Sequence, residues 1–469
     1  MKKRFSRAAL TALVLLLCYA VAAVAPYAIT IEVDPDFQRA FSCDSFYGDG
    51  TLSGPDRAGY IPEPQDAFAL RLALIETAQD ELIFSSYSTA EGETTDLFWG
   101  ALLCAADRGV SVRIILDGLF NGLGRGETAQ ALAAHPEVEL IYFNPLNLFR
   151  PHTINSRLHD KYLIADRQIM LLGGRNISDA YFAPESYEGP VSHDNDVLVW
   201  NTGSEPGVIA DVAAYFESAC EHELSSPAVG ALNSRKTERA QARADELRQK
   251  YQAYGAAQPF SDAQLEELTV PTDKITLISN PFTGLPKQPL VLWQLLQLAD
   301  SAQQQVLIQS PYTVINQETR ARLAALSLDK DVVLLTNSLV SSPNLPAFSA
   351  YLWNRTELAS SGLRIYEYQS SDSIHGKSVL IDDRLSAVGS WNLDERSVDI
   401  DTEVMLVIDS APFQQLLRAR QDEIMAQSLI VGPDGQYLPG GVEPLPVSTG
   451  KKILFYGFSV FSHLFGFLI

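Results

Sequence analysis

Apolar residues recur at helical spacing over Phe68–Asp80, form a block over Glu81–Tyr87, return to helical spacing over Thr95–Arg108, and form two further blocks at Val110–Leu116 and Val138–Phe143. Spacing of i, i+3, i+4 marks a helix with one buried face, and a short apolar block bounded by turn residues marks a buried strand. The alternation returns later in the chain. Val291–Ala302 and the region around Arg320–Leu326 read as helices, and Gln305–Ser310, Val332–Leu335 and Leu363–Tyr368 as strands. The same order twice predicts two α/β units, over residues 60–224 and 271–430, each on a mostly parallel sheet. Residues 225–270 between them are rich in Ala, Gln, Glu, Arg and Lys and predict a helical linker, with Arg235, Lys236, Arg239, Arg243, Glu246 and Arg248 on a solvated face.

Both ends break the pattern. Lys2, Lys3, Arg4 and Arg7 precede the uncharged run Ala8–Ala25, an arrangement that would send the following chain out of the cytoplasm. Residues 1–26 therefore read as a signal anchor or a signal peptide. Ala23 and Ala25 resemble a cleavage site, but Pro26 would follow the cut, which favours an uncleaved anchor; the alternative is a soluble exported protein. Residues 431–469 comprise a Gly- and Pro-containing loop and the apolar tail Ile453–Ile469, suited to a membrane interface or to a packed last helix.

The chain has 469 residues, 46 % of them apolar and 20 % charged, which is globular and excludes global disorder. A net charge of −22 excludes non-specific attraction to nucleic acid or to anionic headgroups, so no nucleic-acid partner is assigned and membrane docking must be apolar. The four cysteines show no metal-type spacing, and no disulfide is assigned.

The chemistry lies in a repeated constellation. His159-x-Lys161 is followed by Asp166 and, six residues on, by Gly173-Gly174-Arg175-Asn176; His375-x-Lys377 is followed by Asp382 and, at the same distance, by Gly389-Ser390-Trp391-Asn392. The copies lie 216 residues apart with identical internal spacing, which implies a duplication whose halves meet at one site. One imidazole can attack a phosphodiester while the other protonates the departing alkoxide. Lys161, Lys377, Asn176 and Asn392 can hold the non-bridging oxygens, so no metal or other cofactor is required. Each imidazole also needs a carboxylate on its distal nitrogen. Glu403, 28 residues after His375 and heading an apolar strand, fits the second half, and Asp196 heads the equivalent strand in the first, in preference to Asp194. Asp166 and Asp382 complete the motifs and are counted with the catalytic set, although they point the other way along their strands and suit salt bridges near Arg167 or Arg384. His135, His152 and His193 read as solvated loop residues.

Two HxKxxxxD motifs, each followed by G-[GS]-x-N, resemble the phospholipase D superfamily over about residues 60–430. The segments Gly173–Phe182, Ser310-Pro311-Tyr312, Leu335–Leu339 and Asp394–Ser397 resemble bacterial cardiolipin synthases, nearest the C-type branch. The resemblance implies two duplicated α/β/α sandwich domains with pseudo-twofold symmetry and one shared site. It further implies phosphatidyl transfer through a phosphohistidine, with His159 as nucleophile and His375 as general acid and base. The implied substrates are phosphatidylglycerol and, as donor, possibly phosphatidylethanolamine, at a bacterial inner membrane with the catalytic body on the periplasmic side. No protein partner is assigned. Hydrolysis to phosphatidic acid is the rival reaction, and a silent lipid-binding scaffold is the rival from another class.

Overall fold

The computed structural model describes residues 2–203 and 205–469, with side chains from Ala9 onward; the basic residues Lys2, Lys3, Arg4 and Arg7, with Ala8, fall outside the described side chains. Two sheets form. The first has the order Val270–Pro271, Asp56–Ile61, Asp196–Asn201, Ile169–Gly173, Tyr162–Ala165, Glu81–Ser86, Ser111–Asp117, Val138–Phe143, Ser225–Pro227. The second repeats it from the second strand onward: Lys274–Ser279, Val404–Asp409, Leu385–Gly389, Ser378–Ile381, Gln305–Gln309, Asp331–Asn337, Arg364–Tyr368, Ser428–Val431.

The expectation of mostly parallel sheets is corrected. Only three neighbouring strands in each sheet run parallel, Glu81–Ser86 with Ser111–Asp117 and Val138–Phe143, and their counterparts. The rest are antiparallel, because the strands carrying each motif are joined by turns too short for a crossover.

Helices cover the outer face of each sheet, and the inner faces share one core. Ile83, Ile115 and Val197 of the first sheet and Leu307, Leu380 and Val404 of the second belong to a single apolar cluster with Val212 and Phe216 of helix Val208–Glu221 and Phe413 and Leu417 of helix Ala411–Met425. The halves are also stitched through their backbones. Ser192–His193 pairs in parallel with Ser373–Ile374, and Leu158 bridges Thr402 in the pseudo-symmetric position. His193 is thus part of the ladder between the halves and not a solvated loop residue.

The segment between the halves forms helices Ser234–Tyr254 and Asp262–Leu268. Ala240, Ala244, Leu247 and Tyr251, at helical spacing, bury one face against the first half, while Arg243 and Lys250 reach Asp96 and Arg248 reaches Asp107. The charged face is therefore partly engaged in ion pairs. At the N-terminus, a helix over Lys2–Val24 runs into a turn at Ala25–Ala28, and the window Ala9–Ala28, with mean hydropathy 2.3, is long and apolar enough to cross a membrane. The C-terminal helix Thr449–Leu464 packs on helix Leu345–Ser360 through Phe455, Ser459 and Ser462 and leaves Ile453, Tyr456, Val460 and Leu464 exposed.

Candidate active site

Each motif histidine sits just before a buried strand, and the lysine two residues on lies beside it on the same face. His159, Lys161, His375 and Lys377 are all buried. The strand after the turn ends at Gly173 or Gly389, where a Cβ would come within 2.2 Å of Asn195 O or 2.1 Å of Val404 O, so only glycine admits the neighbouring strand. Beyond it, Asn176 and Asn392 place their amide oxygens in the interior with no hydrogen-bond partner.

The carboxylates that hold the imidazoles are exchanged between the halves. His159 Nδ1 lies 2.9 Å from Glu403 Oε1, and His375 Nδ1 lies 2.6 Å from Asp194 Oδ2. Neither half completes its own histidine. The choice of Asp196 over Asp194 is corrected by strand register. Gly173 pairs with Asp196, whereas Gly389 pairs with Met405, so the residue matching Glu403 is Asp194. Asp196 instead accepts from Arg71 and Arg175, each at 2.8 Å, in a wholly buried cluster.

Asp166 and Asp382 are corrected as well. The Asp166 carboxylate accepts the backbone N–H groups of Gln79, Asp80 and Glu81, each at 2.9 Å, and Asp382 accepts those of Gln303, Gln304 and Gln305 at 2.8–3.1 Å. Both have positive φ, 50° and 51°, which Asp tolerates in a tight turn. They fix the far end of the motif hairpin to the neighbouring strand and do not enter the site. Arg167 pairs with Glu81 and Glu217, and Arg384 with Asp409 and Asp273.

Burial shapes the electrostatics. It pushes His159 well below the usual imidazole range, with Lys161 adding to the effect, and it pushes His375 down to about 4, with Lys377 adding. Burial also lowers Lys161 to about 7 and Lys377 to about 8. The two orienting carboxyls differ. Burial raises Glu403 to about 8, and Ser390 and Ser397 donate to it. On Asp194 the upward push of burial is outweighed by Lys377, His375 and Arg175, so it is held below the carboxylate range.

Aromatic rings frame both histidines. Tyr87 lies edge-on to His159 at 5.0 Å between centroids, and Tyr181 and Tyr312 flank His375 at 5.1 and 6.0 Å. The Tyr181 hydroxyl is 3.3 Å from His375 Nε2 and accepts from Asn176 Nδ2. Sequence reasoning passed over Tyr87 and Tyr181; their positions near the ends of an apolar block and of the Gly-x-Asn segment were the available signal.

Two buried His–Lys pairs, each locked by a carboxylate from the opposite half, form one composite cluster. The family model described as "Cardiolipin synthase, PLD-like domain" matches residues 72–219 and 295–425. The chain belongs to this family. It is 31 % identical to cardiolipin synthase C of Escherichia coli (strain K12) over 78 % of this chain and 84 % of that protein. It is 24 % identical to cardiolipin synthase A of Klebsiella pneumoniae subsp. pneumoniae over 83 % of this chain and 73 % of that protein. The fold is that of the crystal structure of phosphatidylserine synthase from Haemophilus influenzae Rd KW20, with a TM-score of 0.61 and 14 % identity over 88 % of this chain and 95 % of that one. Two duplicated phospholipase D-like domains with pseudo-twofold symmetry account for the paired sheets.

Proposed function

We propose that this protein is a membrane-associated phosphatidyltransferase of the cardiolipin synthase type. The observation that carries the reading is the exchanged pair of dyads, His159–Glu403 and His375–Asp194. Residues 60–224 and 271–430 each contribute one His–Lys pair to it. In this reading His159 Nε2 attacks the phosphorus of a phosphatidyl donor, phosphatidylglycerol or phosphatidylethanolamine. His375 protonates the leaving alkoxide, then takes the proton from a terminal hydroxyl of phosphatidylglycerol as that oxygen attacks the phosphohistidine. An anionic phosphodiester between Lys161 and Lys377 offsets the two cations, which raises His375 from its low resting value towards a proton-carrying state. Asn176 and Asn392 supply amide donors to the non-bridging oxygens. In this reading the catalytic body lies on the periplasmic side of the inner membrane, which the basic residues ahead of the run Ala8–Ala25 support.

Lipid mass spectrometry after expression in a cardiolipin-deficient bacterium tests the reaction. Cardiolipin is the expected product, and phosphatidic acid without cardiolipin would assign hydrolysis instead. His159→Ala and His375→Ala should each remove at least about a thousandfold of the rate. With a donor bearing a good leaving group, His375→Ala should still accumulate phosphatidyl-enzyme and His159→Ala should not. The opposite pattern reverses the roles.

A further inference from the structure

The loop Asn144–Arg150 presents three large apolar side chains to solvent: Leu146 is 54 % exposed, Leu148 64 % and Phe149 96 %. The loop is pinned. Asn144, at φ 46°, donates its amide to the carbonyls of Thr153 and Ser156 at 2.6 and 2.8 Å, and the Asn147 side chain accepts from Phe149 N at 2.9 Å. Beneath it the buried Arg157, two residues before His159, donates to Asn144 O and pairs with Asp117. A fixed loop that turns adjacent apolar side chains outward marks a contact surface, unlike scattered single leucines.

Its position identifies what it contacts. The turn Pro151–Thr153 that follows touches the N-terminal helix; Tyr27 donates to His152 O at 2.7 Å, and Asn155 Nδ2 to Ala23 O at 2.8 Å. The crest therefore begins where the spanning-length helix ends. A second exposed pair, Leu119 and Phe120, leads inward from the same side: Phe120 is 5.5 Å from Tyr87, which flanks His159. At the same helix end, Gly466–Leu468 touches Ala25–Ala28, and Arg396 donates to Leu468 O. The crest and the C-terminal turn thus both lie at the end of the spanning-length helix.

We propose that Leu146, Leu148 and Phe149, with Leu119 and Phe120, dip into the bilayer leaflet that the Ala9–Ala28 helix enters, seating the mouth of the cleft on lipid. The inference rests on the membrane reading above and extends it to a named surface. Continuity with the helix selects lipid as the occupant, and the net charge of −22 leaves apolar burial as the source of affinity. A two-chain substrate then need not leave the bilayer, because its headgroup rises past Phe120 and Tyr87 to His159 while its chains stay among lipids.

The test uses the full-length protein carrying Phe149→Trp, reconstituted in phosphatidylglycerol–phosphatidylcholine vesicles with and without brominated acyl chains. The emission difference between variant and parent isolates the added indole. Blue-shifted emission quenched by bromine is expected, and emission like that in water without quenching would overturn the proposal even if the enzyme is active. A blue shift that follows protein concentration and ignores bromine would assign the crest to a second copy of the chain, which also overturns it. In parallel, Phe149→Asp should lower the rate on vesicles about tenfold and leave that on monomeric short-chain phosphatidylglycerol unchanged. Bromine quenching in a protein that makes no cardiolipin would sink the transferase reading and leave the docking surface standing.

Discussion

The two halves place the same His, Lys and Asn residues at the ends of matching strands and then support them by opposite means. Strand register and the anchoring turns define the counterparts. Asp196 and Met405 each face the motif glycine; Arg175 and Trp391 each lie two residues beyond it; Arg71 and Leu295 each precede the first anchoring N–H donor, Gln79 or Gln303, by eight residues. The first half therefore fills this position with the buried ionic cluster Arg71–Asp196–Arg175, and the second with Leu295, Met405 and Trp391, all in one apolar core. Geometry at the site does not require either solution. Charge in an interior costs several kcal/mol per ion to desolvate and is recovered only through full pairing, whereas apolar packing of similar volume has no such debt. The ionic cluster is not fully paired: Asp196 Oδ1 and Arg175 Nε lack partners.

The comparison breaks first at Asp196. Asp196→Met alone leaves two guanidinium groups buried without their anion and should cost about 3–5 kcal/mol. The triple replacement Arg71→Leu, Asp196→Met, Arg175→Trp copies the second half and should recover most of that loss. Recovery should be incomplete, because Arg175 also donates to the carbonyls of Ile61, Pro62 and Asp194. Denaturant titration in one detergent reads both, and a triple variant no better than the single would show that the cluster is required as a unit. Trp391→Arg is the converse experiment and should destabilise the second half by a similar amount.

Much of this is legible in the sequence, and what is not shares a cause. Repeated spacing revealed the duplication, the motif strands and the four site cations and imidazoles, since covalent spacing along a strand fixes which face a residue occupies. Asp196 reads as the orienting carboxylate because it begins the apolar run, yet the run begins two residues later relative to the motif glycine in the first half than in the second. Only pairing across strands exposes that offset. The exchange of carboxylates between halves was equally hidden, because sequence places Glu403 near His375 while the fold carries it to His159. Asp166 and Asp382 looked catalytic through their place in the motif, but their role, accepting three backbone N–H groups from another strand, is long-range. The parallel character was overestimated because alternation reveals strands and not their direction.

The second break in symmetry lies in the orienting carboxyls. Asp194 is held ionised beside Lys377 and Arg175, so Asp194→Asn removes a charge that steadies the imidazolium of His375 and should lower kcat about a hundredfold. Glu403 is raised to about 8 by burial, so near neutral pH Glu403→Gln keeps its shape and its neutral charge; it loses the acceptor of one of the two serines and should cost less than about tenfold. Steady-state rates of the two variants decide it. Equal losses would mean that the two dyads carry equal charge.

The smallest expected effect is the pH dependence of stability, and it has opposite sign at the two orienting carboxyls. Burial raises Asp394 to about 7 and Glu395 and Glu403 to about 8, so above the ordinary carboxyl range the folded protein holds protons that the unfolded chain has released. Stability from these groups is fully present below their unfolded pKa values and is lost as pH rises through 7 and 8. Asp194, held low, contributes stability above its unfolded value that is lost only as pH falls through its depressed folded one. Lys161 and Lys377, lowered to about 7 and about 8, act in the reverse sense above those values, so the comparison is read between about pH 5 and 7. In that window His159 and His375, lowered by burial, act against the carboxyls, because the unfolded chain takes up their protons as pH falls through the ordinary imidazole value. The parent's slope is the balance of the two sets, and Glu403→Gln should shift it towards greater stability at higher pH by up to one proton's slope, about 1.4 kcal/mol per pH unit. Asp194→Asn should leave the slope as it is. A slope unchanged by Glu403→Gln would place the titrating protons on other carboxyls and remove the electrostatic contrast between the dyads.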